Sequence, residues 1–197
     1  MNGKIILASG SPRRAKILKE LGVGFDVLKT DVEEVPIVPG RPYTAEEAGS
    51  VVETNAMMKA AAGFAAVGGG RGILAADTIV WFRNRILGKP RNLEEAAEFL
   101  RSMSGRAHSV FTGVAYLSAG STAADEPRFS LCESRVKFRE LSEATIDRYV
   151  ARVKPTDRAG AYDIDESGDL IVEGYEGSYE NIMGLPVEPL KEWGIVR

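Results

Sequence analysis

Near the start of the chain an apolar run, Lys4-Ile5-Ile6-Leu7-Ala8, breaks at Ser9-Gly10-Ser11-Pro12 and passes into Arg13-Arg14 and a helical pattern. The run is too short for a helix and reads as a buried strand. Ser11 then stands as the cap of a helix whose first residue is Pro12, where a missing N–H costs nothing. Ile17, Leu18 and Leu21 give that helix an apolar stripe, and Gly22 stops it. A strand that hands over to a helix through so tight a turn points to α/β architectures.

The same alternation continues downstream. A second strand is expected over Phe25 to Leu28, followed by the acidic Asp31-Val32-Glu33-Glu34 and a Pro/Gly-rich loop. Thr44 with Glu47 makes a capping box for a long alanine-rich helix to about Ala66. Ile73 to Phe82 reads as a strand that turns at Arg83-Asn84-Arg85 and returns through Ile86 and Leu87. Asn92 with Glu95 caps a helix over Leu93 to Met103. Ser109 to Leu117 and Phe129 to Phe138 form a long antiparallel hairpin, and Ser142 caps a helix to about Val153. A last strand is expected at Leu170 to Glu173. The pattern predicts an α/β fold built on a mixed, twisted central sheet with flanking helices.

Composition narrows the function. Twenty-five basic against 28 acidic residues leave a net charge of −3, which argues against a nucleic-acid coat but not against a local basic pocket. Cys132 is the only cysteine and His108 the only histidine. An intramolecular disulfide and a Cys/His zinc site are therefore excluded, a reducing cytoplasm is the natural setting, and any metal must be bound largely through oxygen. No stretch reaches the roughly 18 consecutive apolar residues of a membrane helix. The charge order of the N-terminus does not match a secretion signal.

Three segments carry the chemistry. Ser9-Gly10-Ser11-Pro12-Arg13-Arg14 brings two hydroxyls, a flexible glycine, a helix N-terminus and two guanidinium groups together, a set suited to phosphate oxygens; it equally suits a capped helix with solvated arginines. Asp77 lies within a buried strand and needs a metal, a cation or a hydrogen-bonding partner. Lys89 sits across the hairpin from it. The third segment, Asp157 to Tyr162 with Gly177-Ser178-Tyr179 and Gly184-Leu185-Pro186, suits a loop around a small planar ligand or a surface turn. Asp31, Glu33 and Glu34 add oxygen donors for Mg²⁺ or Mn²⁺. No Walker pattern and no G-x-S-x-G elbow occurs, and His108 is taken as structural.

Taken in order, Leu7-Ala8-Ser9-Gly10-Ser11-Pro12-Arg13-Arg14, Ala76-Asp77-Thr78, Gly88-Lys89-Pro90, Ser104-Gly105-Arg106-Ala107-His108, Asp157-Arg158-Ala159-Gly160-Ala161-Tyr162 and Gly184-Leu185-Pro186 closely resemble the Maf-like nucleoside triphosphate pyrophosphatases. The resemblance spans nearly the whole chain. It implies one domain over 1–197, Maf/ITPase-like, with two lobes enclosing a cleft. It also implies a cytoplasmic, divalent-cation-dependent hydrolase that splits nucleoside triphosphates between the α and β phosphates, and members that often form homodimers. The family's proton acceptor falls on Asp77. Its phosphate and metal positions fall on Ser9, Arg13, Glu34, Lys59 and Lys89, with Glu34 and Asp77 as metal ligands. Thr78 and Arg13 match positions tied to base preference.

The Asp-Arg-Ala-Gly-Ala-Tyr segment resembles the branch acting on dTTP, UTP and modified pyrimidine nucleotides, as opposed to the branch preferring 7-methyl-GTP. That branch usually continues Gly-Ile-Gln, whereas this chain reads Asp163-Ile164-Asp165. Asp165 in the place of the glutamine accepts hydrogen bonds but cannot donate them, and Asp163 beside it is an expected source of repulsion toward the triphosphate. Two rivals follow: a shifted base preference, and a nucleotide-binding regulator of septum formation with little hydrolysis.

Overall fold

The computed structural model describes residues 4–196. Its sheet is built from β1 (Ile5–Leu7), β2 (Phe25–Val27), β3 (Ile73–Phe82), β4 (Arg85–Leu87), β5 (Ala107–Leu117), β6 (Arg128–Phe138) and β7 (Val172–Glu176). The strand order is β2-β1-β3-β5-β6-β7, with β4 also paired to β3. β1 runs parallel to β2 and β3, and all other pairs are antiparallel. The helices are α1 (Pro12–Glu20), α2 (Ala45–Val67), α3 (Leu93–Met103), α4 (Glu143–Val153), α5 (Tyr179–Met183) and α6 (Glu188–Glu192). A mixed α/β sheet with flanking helices is what the alternation predicts.

Period-two alternation along β3 assigns the layers. Leu74 and Ala76 pack with Ile17 and Leu18 of α1 and Leu190 of α6 on one face. Ile73 and Ala75 pack against Ala56 and Ala60 of α2 on the other. Farther along, Val80 and Phe82 join α3 and α4 in a third cluster around Leu100, Phe138 and Tyr149. Small residues let α2 lie close to the sheet: Gly113 of β5 has Val52 O only 2.7 Å from where a Cβ would stand.

β1 and β4 both pair with the same edge of β3, and they approach each other head on. β1 stops at Leu7, opposite Leu74, while β4 brings Leu87 opposite Val80. Neither strand covers the edge of β3 between those points. The sheet therefore has a notch beside Ala76 to Ile79, into which the chain leaving β1 and the chain leaving β4 both open.

The cap residues Thr44, Asn92 and Ser142 accept the expected backbone bonds. Ser11 holds the N-cap position of α1, but its side chain makes no capping bond. The last strand begins later than expected, because Gly168–Leu170 forms a 3₁₀ turn ahead of Val172. No helix among the described residues is long and apolar enough to cross a membrane.

Candidate active site

The notch opens into a cavity of about 470 Å³. Of the residues nominated from the sequence, Ser9, Arg13, Glu34, Lys59, Asp77, Thr78 and Lys89 line it, whereas Asp31, Glu33 and Asp165 do not. Ser9 arrives because it follows the end of β1. Lys89 arrives because it follows the end of β4. Asp77 and Thr78 project to opposite faces of β3, yet both reach the cavity because the strand edge between them is uncovered.

Asp77 is buried, and each of its oxygens has a donor. Lys59 Nζ lies 2.7 Å from Oδ1, and Asn55 Nδ2 lies 2.8 Å from Oδ2. Both donors come from α2, where Val51, Asn55 and Lys59 recur every fourth residue along the stripe facing the cavity. Asn55 uses its other end to accept from Val35 N at 2.8 Å, tying the long acidic loop to the helix. Lys59 Nζ also meets Glu34 Oε1 at 2.7 Å, so one ammonium joins the two carboxylates expected at a metal. Burial raises the pKa of the Glu34 carboxyl. The hydrogen bond from Lys59 and the charges of Lys59, Lys89 and Arg14 outweigh that, and hold it below the usual range.

Glu34 and Asp77 supply hard, anionic oxygens, the donor type for a divalent cation that takes one or two carboxylates together with phosphate oxygens and water. No set of three or more His, Cys, Asp or Glu among the described residues is arranged to hold a metal ion. Two carboxylates alone leave a divalent cation short of a full ligand set, so one held here would take the rest from substrate and solvent.

Arg14, one of the two guanidinium groups of the first segment but given no separate role from the sequence, organises the other wall. Its guanidinium is buried and each nitrogen has a partner: Nε donates to Gly184 O at 2.8 Å, Nη1 to Ser9 Oγ at 2.9 Å and Nη2 to Thr78 Oγ1 at 3.0 Å. Burial lowers its pKa to about 10, opposed by the charge of Asp77. Gly184 is required there by its φ of +101° and because a Cβ would stand 3.1 Å from Thr78 Oγ1. Ser9 Oγ accepts a second bond from Ser11 N at 3.3 Å. With both lone pairs occupied, the Ser9 hydroxyl keeps a proton free to donate into the cavity.

Of the two aspartates that follow Tyr162, only Asp163 lines the cavity. Asp165 is turned away from the cavity, bonded to Lys16 and to Tyr179 Oη, and the Lys16 bond lowers its pKa. Asp163 lines the cavity but accepts from Arg158 Nε at 2.9 Å and from the backbone N–H groups of Asp165 and Glu166, with Arg13 Nη1 3.6 Å away. The expected repulsion from Asp163 is thus answered by two guanidinium groups. Cationic Arg13, Arg14, Lys29, Lys59 and Lys89 line the cavity with acidic Glu34, Asp77, Asp157 and Asp163, and Arg158 also pairs with Asp157. His108, by contrast, is buried away from this wall against Tyr162 and Phe138.

The family described as Maf-like protein matches residues 4–193. The dTTP/UTP pyrophosphatase of Bacillus anthracis (strain CDC 684 / NRRL 3495) is 41% identical over 187 residues, covering 95% of this chain and 92% of the relative. The dTTP/UTP pyrophosphatase of Dictyoglomus thermophilum is 43% identical over the same shares. Among solved structures, a HAM1 protein from Coxiella burnetii overlaps 86% of this chain and 91% of its own at 19% identity, with a TM-score of 0.45.

Proposed function

The chain belongs to the Maf-like family, and from that premise we propose that it hydrolyses dTTP and UTP to the monophosphate and pyrophosphate in the notch beside β3. The observation that carries this reading is the meeting of Asp77, with one donor on each oxygen, and several cationic side chains within one cavity. The cations suit a polyphosphate, and a carboxylate among them can accept a proton or hold a metal ion.

In this reading a water attacks the α-phosphorus. A new P–O bond forms, the bond from the α-phosphorus to the bridging oxygen breaks, and pyrophosphate leaves with the bonding electrons. Asp77 takes the proton lost by the water, while Lys59 and Asn55 hold its carboxylate in place. Ser9 donates its free proton to a phosphate oxygen, and Arg13 and Lys89 offset the charge that builds on the departing pyrophosphate. Glu34 and Asp77 would hold the divalent cation, Mg²⁺ or Mn²⁺, which supplies further charge neutralisation on the polyphosphate when bound.

The test is pyrophosphate release from dTTP and UTP with Mg²⁺ or Mn²⁺. Asp77→Asn should lose at least about a hundredfold in kcat, the scale of a lost general base, and remain folded, with a lower thermal unfolding temperature because Lys59 loses its buried counter-charge. Turnover by that variant at the parent rate would refute the assignment. Tight nucleotide binding by the parent with no metal-dependent product would favour the regulator.

A further inference from the structure

The hydroxyls of Ser9 and Thr78 are both held by the one guanidinium of Arg14, but their protons are directed differently. Thr78 Oγ1 accepts from Arg14 Nη2 and lies 3.0 Å from Thr112 Oγ1, its partner across the β3–β5 ladder. Thr112 Oγ1 in turn lies 3.1 Å from the carbonyl oxygen of Asn181. A carbonyl only accepts, so Thr112 must give its single proton to Asn181. The bond between the two threonines is then donated by Thr78. Reversing it would leave two bare oxygens, Thr112 Oγ1 and Asn181 O, facing each other inside the core at 3.1 Å. The relay therefore runs one way, from Arg14 through Thr78 and Thr112 to Asn181.

The consequence at the cavity is a difference in polarity. Ser9 has a proton to give and no lone pair left. Thr78 has spent its proton and offers one lone pair. Ionised phosphate oxygens only accept hydrogen bonds, so they match Ser9 and are repelled by Thr78. The remaining lone pair of Thr78 suits a donor, which the ionised phosphates lack and a nucleoside carries.

We infer that Thr112, wholly buried behind the cavity wall, is a positioning residue that fixes Thr78 as an acceptor and so selects bases carrying an N3–H, uracil and thymine, over cytosine. Cytosine presents a bare N3 lone pair at that position, and two acceptors in contact repel. The inference rests on the proposed pyrimidine nucleotide hydrolysis and deepens it. It needs no charged residue to read the base, which matters because Asp165 is turned outward and Asp163 is already saturated with donors.

The experiment compares kcat/KM for UTP and CTP in the parent, Thr112→Val and Thr112→Ser. Valine has nearly the shape of threonine but takes no proton, which frees the Thr78 proton for the cavity. The UTP-to-CTP ratio should fall about tenfold in Thr112→Val, the scale of one net hydrogen bond, mainly through a lower KM for CTP. Thr112→Ser should restore the parent ratio. A purely structural role for Thr112 would lower both substrates together and leave the ratio unmoved, which would overturn the inference. Should the valine variant not fold, the parent with N3-methyl-UTP decides: loss of at least about tenfold against UTP supports the assignment. Equal turnover of N3-methyl-UTP and UTP would instead show that Thr78 meets a ribose hydroxyl, and would sink it. A parent that hydrolyses neither dTTP nor UTP would overturn the proposed function itself, and this inference with it.

Discussion

Asn55 shows how little a single residue's signal can say about its task. It stands in an alanine-rich helix and is buried at 3% exposure, with one end on Val35 and the other on Asp77. Asn55→Asp keeps the shape and the acceptor for Val35, but turns the donor facing Asp77 into a like charge. We expect a fall in kcat of about a hundredfold or more at pH 7, together with a lower melting temperature, since an unmatched buried charge costs several kcal/mol. A variant that matched the parent in both would mean that Asn55 does not hold the carboxylate. The carboxylate itself was legible, because a charged residue inside an apolar strand demands a partner. The partner was not, since only the fourfold spacing of Val51, Asn55 and Lys59 marks the stripe. Arg13 and Arg14 are indistinguishable as neighbours in sequence; only the helix phase decides which is buried as an anchor and which stays partly exposed. The outward turn of Asp165 was likewise hidden, because the loop from Tyr162 has no period from which side-chain direction can be read.

At the scale of elements, the predicted strands and helices through α4 were legible because each carries its own punctuation: capping residues, turn residues and a clear hydrophobic period. The end of the chain was harder. β7 starts after a 3₁₀ turn and α6 is five residues long, too short for periodicity to separate from a tail. The notch was also hidden, since it depends on two strands sharing one edge of β3, and strand pairing leaves no local mark. What makes the notch a site is the closeness of α2. Gly113→Ala would put a Cβ 2.7 Å from the carbonyl oxygen of Val52, and backbone cannot rotate away. Overpacking of that kind costs about 1–3 kcal/mol. The helix must move outward, carrying Asn55 and Lys59 with it. We therefore expect a lower urea midpoint and a fall in kcat of about tenfold or more, since misplacement of about an ångström is costly to catalysis. Loss of stability with unchanged turnover would show that the carboxylate keeps its donors without the tight α2–β5 contact.

For the whole molecule, stability at mildly acid pH turns on the single histidine, far from the chemistry. His108 is 3% exposed, with Nε2 2.9 Å from Tyr162 Oη and the edges of Phe138 and Tyr162 around its ring. Burial lowers its pKa from 6.5 to about 3. Below pH 6.5 the unfolded chain therefore takes up a proton that the folded chain refuses, and acid favours unfolding. The stabilisation is complete above pH 6.5 and is lost as pH falls toward 3, at up to about 1.4 kcal/mol per pH unit. The depressed carboxylates, such as Glu34 and Asp165, act with the same sign but only at and below their ordinary range, so His108 accounts for the window between pH 7 and pH 5. Urea unfolding across that window should show a loss of about 2 kcal/mol. His108→Gln, which can still bond Tyr162 and takes no proton, should give a nearly flat profile whatever its absolute stability. A parent whose unfolding free energy does not change between pH 7 and pH 5 would show that the ring can be protonated inside the fold, and that the α3–α4 cluster opens to solvent without global unfolding.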